Sequence, residues 1–191
     1  MPSARSSAID SYLAHLGTTD RIEPKLSLDD LASGFALDHY NAATPKFDLS
    51  ELQHLSARLL HATPFPTVHE RLTALNLSID EPLWNVARAN IGKLADVGEW
   101  VEVCCGTVAP VIDDAAFTAK AATLLPPEPW NGGTWSAWTT AVKDATGRKG
   151  KELFRPLRLA LTGRDHGPEM KDLLPLIGRA KASARLRGET G

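Results

Sequence analysis

Residues 146–188 of this chain, TGRKGKELFRPLRLALTGRDHGPEMKDLLPLIGRAKASARLRG, decide its fold. Leucines in the first half recur at the three- and four-residue spacing of an α-helix, and the pair Thr162-Gly163 ends that run. A second apolar run follows the pair Gly167-Pro168, which is typical of a helix start. The stretch therefore predicts two packed helices joined by a short loop. The apolar face of the first helix is predicted to contain Leu153, Phe154, Leu157, Leu159 and Leu161.

Positive charge is concentrated in the same part of the chain. Residues 143–188 contain 12 lysines and arginines against five acids, whereas residues 1–142 have a net charge of −8. The near-neutral total of −2 hides this asymmetry, which is typical of a local footprint for a polyanion. A basic helix surface exposed to water is the alternative interpretation of the charge alone.

The loop between the two predicted helices, residues 164–167, has basic side chains at its rim. We expect it to be a rigid, positively charged hollow. Pro156 lacks an N–H and predicts a bend or a new start within the first helix.

The remaining sequence predicts an all-α protein. Alternating strand patterns are nearly absent, and three pairs place a capping side chain three residues before an acid: Ser27 with Asp30, Asp48 with Glu51, and Thr67 with Glu70. Helices are predicted near 8–16, 28–35, 49–62, 68–75, 81–105 with a possible break, 114–124, 134–146, 149–162, 168–177 and 179–187.

A family resemblance rests on the basic stretch. GRKGKELFRPLRLALTGRDHGPEMKDLLPLIGR (147–179) resembles the C-terminal anticodon-binding region of bacterial glutamyl-tRNA synthetases, which has the pattern G-x-K-G-x-x-L-x-x-P-L-R-x-A-L-T-G. Residues 8–35 and 47–61 also resemble that family, and residues 124–150 resemble its alphaproteobacterial form. The resemblance covers nearly the whole chain, and it implies an all-α multi-helix bundle or cage.

The resemblance implies binding of tRNA(Glu) and recognition of its anticodon. A synthetase's ATP and glutamate sites lie in a catalytic domain marked by H-I-G-H-like and K-M-S-K-S-like motifs, which this sequence lacks. No cofactor is therefore expected in this chain, and ATP is expected only with a catalytic domain supplied elsewhere. The chain is either a fragment of a longer ligase or a free-standing relative, and it should not be catalytic alone.

The resemblance also implies regions and contact residues. Residues 1–62 match the stem-contact region, 63–110 the first anticodon-binding subdomain and 111–191 the second. Arg158 matches the anticodon-reading arginine, and an arginine fork suits a base edge. Gly167 and Met170 match positions near the last part of the anticodon, and Lys93 lies near a residue that tests its third base. Predicted phosphate contacts are Lys149, Lys151 and Arg164.

Two alternatives remain open: a free-standing paralogue that recruits tRNA to a partner enzyme, and a helical protein-interaction module. Neither a membrane nor DNA is an expected partner, and the adjacent pair Cys104-Cys105 fits a reducing cytoplasm rather than a metal site. The five tryptophans are interpreted mainly as core residues. Glutamate versus glutamine tRNA discrimination is left open by the sequence.

Overall fold

The computed structural model describes residues 4–25, 27–41 and 46–191. Within these residues the secondary structure is helical, and the only β-type pairing is an isolated bridge between Thr18 and Tyr40. The predicted all-α fold is confirmed. The α-helices are α1 (Ala4–His15), α2 (Leu28–Ser33), α3 (Leu49–Ala62), α4 (Phe65–Ala74), α5 (Glu81–Ala87), α6 (Val97–Cys104), α7 (Ala115–Thr123), α8 (Thr134–Thr146), α9 (Lys151–Thr162), α10 (Met170–Ile177) and α11 (Arg179–Leu186).

The chain divides into two compact units. The first unit consists of Met1–Ser78 and Arg88–Val97, and the second of Ile79–Ala87 and Gly98–Gly191. Helix α5 therefore belongs to the second unit although first-unit segments flank it. The three functional regions expected from the resemblance divide the chain differently, and they stay a prediction.

Two helices of the first unit, α2 and α3, begin at the capping side chains that the sequence predicts. The Ser27 hydroxyl accepts a hydrogen bond from the Asp30 N–H at 3.1 Å, and the Asp48 carboxylate accepts one from the Ser50 N–H at 2.8 Å. The third predicted start is wrong, because α4 begins at Phe65, directly after Pro64, and Thr67 lies inside it. The first N–H groups of a helix have no intrahelical acceptor, so proline before or within the first turn costs no hydrogen bond. This helix accordingly begins at a proline, without a capping side chain.

The core of the first unit forms where α1 packs on α3. Tyr12, Leu55 and Leu59 are each at most 2% exposed there. The Tyr12 hydroxyl accepts a hydrogen bond from the Asp48 N–H at 2.7 Å, so the aromatic side chain also fixes the start of α3.

Helix α9 lies at the centre of the second unit, in contact with α7, α8 and α11. Its residues Leu157, Ala160 and Leu161 are fully buried. Pro156 is also buried, but α9 runs through it without a break, so the helix does not restart there. Helix α10 packs on α5, α8 and α11.

No helix in the described part of the chain combines the length and the hydrophobicity that a bilayer crossing requires.

Candidate nucleic-acid interface

One side of α9 faces solvent and carries most of its charge. Lys151, Phe154, Arg155 and Arg158 occupy positions i, i+3, i+4 and i+7, which share one helical face. They extend over about 10 Å of the helix axis. Lys151 and Arg155 are exposed, and Arg158 is half-buried. We call these four residues the α9 basic face.

Phe154 is exposed, which corrects the predicted apolar face of this helix. Its side chain is 45% exposed, whereas Leu153, Leu157, Leu159 and Leu161 are buried. Apolar side chains at three- and four-residue spacing form a stripe on the helix that is wider than the surface a packed neighbouring helix buries. Phe154 lies at the edge of that stripe, beside Lys151 and Arg158.

The two terminal nitrogens of the Arg158 guanidinium differ, since one has a hydrogen-bond partner and the other has none. Nη2 donates to the carbonyl oxygen of Pro168 at 2.8 Å, which ties α9 to the following loop. Nη1 is buried and has no hydrogen-bond partner among the described residues. Burial lowers the pKa of this guanidinium, and the carboxylate of Glu169 opposes the effect. A buried charged donor without a partner is costly, and because Nη1 is out of contact with solvent, a ligand acceptor would reach it only after the side chain moves.

The loop after α9 is closely packed rather than hollow. A Cβ atom added at Gly167 would lie 2.1 Å from the ring of Trp100, and Gly167 has a φ of +127°. The Arg164 guanidinium lies 3.1 Å from the Glu99 carboxylate and 5.8 Å from the centre of the Trp100 ring. The open cleft of about 410 Å³ beside this loop is lined by Glu102 as well as Glu99 and Arg164. The expected cationic hollow is therefore wrong here. Along α9, Arg155 is paired with Asp113, and Lys151 and Arg158 are left without an ion pair among the described residues.

The structure brings only some of the predicted contact residues together. Arg158, Arg164 and Gly167 surround one turn, and Met170 begins the next helix with only 4% of its surface exposed. The side chain of Met170 thus packs inside the unit. None of these observations tests a contact with RNA, so the predicted contact set stays a prediction.

The three lysines predicted to contact RNA lie outside the turn formed around Arg158, Arg164 and Gly167. Lys149 is exposed in the turn before α9, and Lys151 is its first residue. Lys93 belongs to the first unit, where its side chain is 78% exposed and its Nζ lies 3.8 Å from the carboxylate of Asp96.

Arg185 is a structural residue that the sequence interpretation missed. It is fully buried in α11, and its Nη1 donates at 2.8 Å to the carbonyl oxygens of both Val103 and Leu161. These carbonyls belong to the last turns of α6 and α9, where the helix dipole is negative. A fully buried arginine among carbonyl oxygens has no local sequence pattern, because its partners lie 82 and 24 residues away.

The anticodon binding domain family model matches residues 85–189 of this chain, which is more than half of its length. This chain belongs to the anticodon binding domain family. The match contains the whole α9 basic face, the loop that follows it and Arg185. The resemblance stated from the sequence is confirmed.

Several glutamate-tRNA ligases are similar to this family member over nearly its full length. The ligase of Azospirillum brasilense is 51% identical over 96% of the chain, and ligase 1 of Parvibaculum lavamentivorans is 49% identical over the same share. In both cases the chain spans 41% of the relative's own length.

Solved structures share the fold. A glutamate tRNA ligase from Elizabethkingia meningosepticum superposes with a TM-score of 0.74 at 17% identity, covering 95% of this chain and 40% of that structure. The glutamate-tRNA synthetase from Elizabethkingia anophelis gives a TM-score of 0.73 at 16% identity, covering 95% and 39%. The likeness shows that the helical architecture is that of these proteins.

Proposed function

We propose that this chain binds tRNA and reads the anticodon loop of tRNA(Glu), as the non-catalytic part of a glutamate-tRNA ligase. The match of the anticodon binding domain model to residues 85–189 carries this proposal. The similarity of 96% of the chain to glutamate-tRNA ligases supports the choice of tRNA. The remainder of those ligases, which this chain does not span, is the expected source of the ATP and glutamate sites and the expected partner. A cytoplasmic location follows from the same proposal.

The geometry of α9 suits a single-stranded loop. RNA is read in sequence mostly where bases are unpaired and their edges are accessible. Arg158 would donate to such an edge once its half-buried side chain turns outward, while Lys149 and Lys151 would contact phosphates as point charges. Arg164 would contact the RNA only by leaving Glu99. Gly167 stays a predicted contact, although the space beside its Cα is filled by Trp100.

Titration of a labelled tRNA(Glu) anticodon stem-loop with the purified chain tests the proposal. Arg158→Ala should weaken binding by about 1–3 kcal/mol, because it removes a base-reading fork. Arg158→Lys should restore the charge but not the bidentate geometry, so it should recover only part of the affinity.

Lys120→Ala is the matched control, since Lys120 is an exposed cation on α7 outside the α9 basic face. Unchanged affinity of Arg158→Ala would remove Arg158 from the site. Absence of any binding by the wild-type chain would refute the proposed function itself.

A further inference from the structure

The exposed aromatic ring of the α9 basic face is backed by a second ring. The centres of the Phe154 and Trp135 rings lie 6.2 Å apart, and their planes are inclined by 36°. Trp135 comes from α8 and is half-buried, whereas Phe154 is 45% exposed. Two helices therefore bring their aromatic side chains to one point on the surface of the second unit.

The pair is anchored in the core. Trp135 packs edge-on against Trp138, with ring centres 5.5 Å apart and planes inclined by 66°. Trp138 is 1% exposed, and its Nε1–H donates to the carbonyl oxygen of Ala121 at 3.0 Å. Three rings thus form a continuous series from the core to the solvent. A ring held in this way loses little conformational freedom when a ligand covers it.

Positive charge surrounds the outer ring. Lys151 lies one turn before Phe154 on the same face, and Arg158 lies one turn after it. Arg155 is also adjacent, but its guanidinium lies 2.9 Å from the carboxylate of Asp113, so its charge is partly compensated. An exposed aromatic side chain between two cations is the arrangement by which proteins hold unpaired nucleotides.

Phe35, one of the exposed phenylalanines of the first unit, lacks this arrangement. Phe35 is 55% exposed and lies near Leu13 and Leu28 along a shallow groove that includes Asp10. No lysine or arginine lies within four residues of Phe35 in the sequence. Charge complementarity to a polyanion therefore distinguishes Phe154 from Phe35.

We infer that Phe154, supported by Trp135, is a stacking platform for one unpaired base of the bound RNA. The base would lie on the exposed face of the ring, with its phosphates towards Lys151 and its edge within reach of Arg158. This inference rests on the proposed function and adds to it a specific contact. Because every base has an aromatic face, the platform contributes affinity rather than sequence selectivity.

Phe154→Leu and Phe154→Trp separate stacking from simple packing. Leucine keeps an apolar side chain but has no aromatic face, so it should weaken binding of the anticodon stem-loop by about tenfold. Tryptophan keeps the face and should retain the affinity of the wild type. Phe35→Leu, the matched control, should change nothing. Thermal midpoints measured alongside should stay close to the wild type for all three, because both positions are exposed.

Abasic nucleotides placed one at a time in the loop identify the stacked base. For one position, the abasic RNA should bind wild-type and Phe154→Leu chains equally, since the contact is already lost. The slope of log affinity against log salt should be the same for Phe154→Leu and the wild type, whereas Lys151→Ala should make it shallower by about 0.7.

Each outcome decides between the two proposals. If the wild-type chain binds the stem-loop and Phe154→Leu binds as tightly, the platform is refuted and the proposed function stands. A tenfold loss that persists with every abasic RNA also refutes it, because Phe154 then acts through the protein. If the wild-type chain binds no RNA, both are refuted.

Discussion

Gly167 shows how one residue fixes the loop beside Arg158. Its φ of +127° belongs to the region that side chains disfavour, and its Cα lies against Trp100, which is 3% exposed. Any side chain would have to displace a buried indole. The loop conformation that places the Pro168 carbonyl near Arg158 thus depends on a glycine at this position.

Gly167→Ala should reduce the free energy of unfolding by about 2–4 kcal/mol, since it adds backbone strain to overpacking. Gly132→Ala is the matched control, because no atom lies within 4 Å of its added Cβ and its φ is not positive. Urea unfolding followed by tryptophan fluorescence measures both. Equal midpoints for the two variants would contradict the close packing on Trp100.

The adjacent cysteines should differ sharply in reactivity. Cys104 is buried, and burial raises the pKa of its thiol to about 12, whereas Cys105 is exposed. Only the thiolate reacts with a maleimide at an appreciable rate. Mass spectrometry after brief labelling at pH 7.5 should show one modification, at Cys105, and two after denaturation in urea. Rapid native labelling of Cys104 would mean that the end of α6 opens readily.

At the scale of helices, Arg185 joins the ends of α6 and α9. Its removal would leave the buried carbonyls of Val103 and Leu161 without donors, at about 1–3 kcal/mol each. Arg185→Met, which keeps the aliphatic volume, should therefore lower the free energy of unfolding by roughly 2–5 kcal/mol. Arg187→Met, an exposed change directly after the end of α11, should have little effect in the same urea titration. A stable Arg185→Met variant would show that water satisfies these carbonyls.

A hydrogen-bonded pair of side chains, His39 and Asp20, connects two segments of the first unit that lie between α1 and α3 in the sequence. His39 Nδ1 lies 2.6 Å from the Asp20 carboxylate, and the Thr19 N–H donates to the His39 carbonyl at 3.2 Å. The hydrogen bond to Asp20 raises the pKa of His39 above its ordinary 6.5. The pair therefore stabilises the fold below the ordinary pKa, and this contribution is lost as the pH rises through the raised value.

Asp20→Asn should lower the pKa of His39 in an NMR titration. Asp38→Asn should lower it less, because Asp38 is the weakest of the causes that raise it. An equal shift in both variants would show that general negative charge, rather than the hydrogen bond, sets the pKa.

The helices could be predicted from sequence because their signals are local. The caps at Ser27 and Asp48 are confirmed, and glycines after α8 and α9 mark those ends correctly. The predicted start at Thr67 fails because the same spacing of a hydroxyl and an acid also occurs inside helices. Pro156 lies within α9 because burial in the core outweighs one missing hydrogen bond.

The candidate site could be predicted only in part. Arg158 follows from the family pattern, but its unoccupied Nη1 and its bond to Pro168 depend on how the loop folds back. The sequence predicts Phe154 as part of the buried face of α9, because periodicity does not show how wide that face is. The closure of the loop by Trp100 needs a contact between residues 67 positions apart, which no local pattern encodes.

At the scale of the whole molecule, the charge asymmetry predicts a salt-dependent affinity. If Lys149, Lys151 and Arg158 each neutralise about one phosphate of a single-stranded loop, log affinity should fall with log salt with a slope of about −2. Affinity for the stem-loop should then drop roughly 20-fold between 50 and 200 mM salt. Fluorescence anisotropy at four salt concentrations measures the slope.

Lys149→Ala should make this slope shallower by about 0.7, and Lys120→Ala should leave it unchanged. Affinity that does not depend on salt would instead favour a helical protein-interaction module, because such an interface releases few counterions.

The chain passes from one unit to the other three times, which limits where it can be truncated to give a folded fragment. Helix α5 packs on α10, and its Trp84 is fully buried, yet Arg88–Val97 separates it from the rest of its unit. A recombinant fragment starting at residue 98 would lack that indole, and one starting at 85, where the family match begins, would lack it too. Truncation for expression or crystallisation should therefore begin at or before Ile79, carrying ten residues of the neighbouring unit as an internal linker.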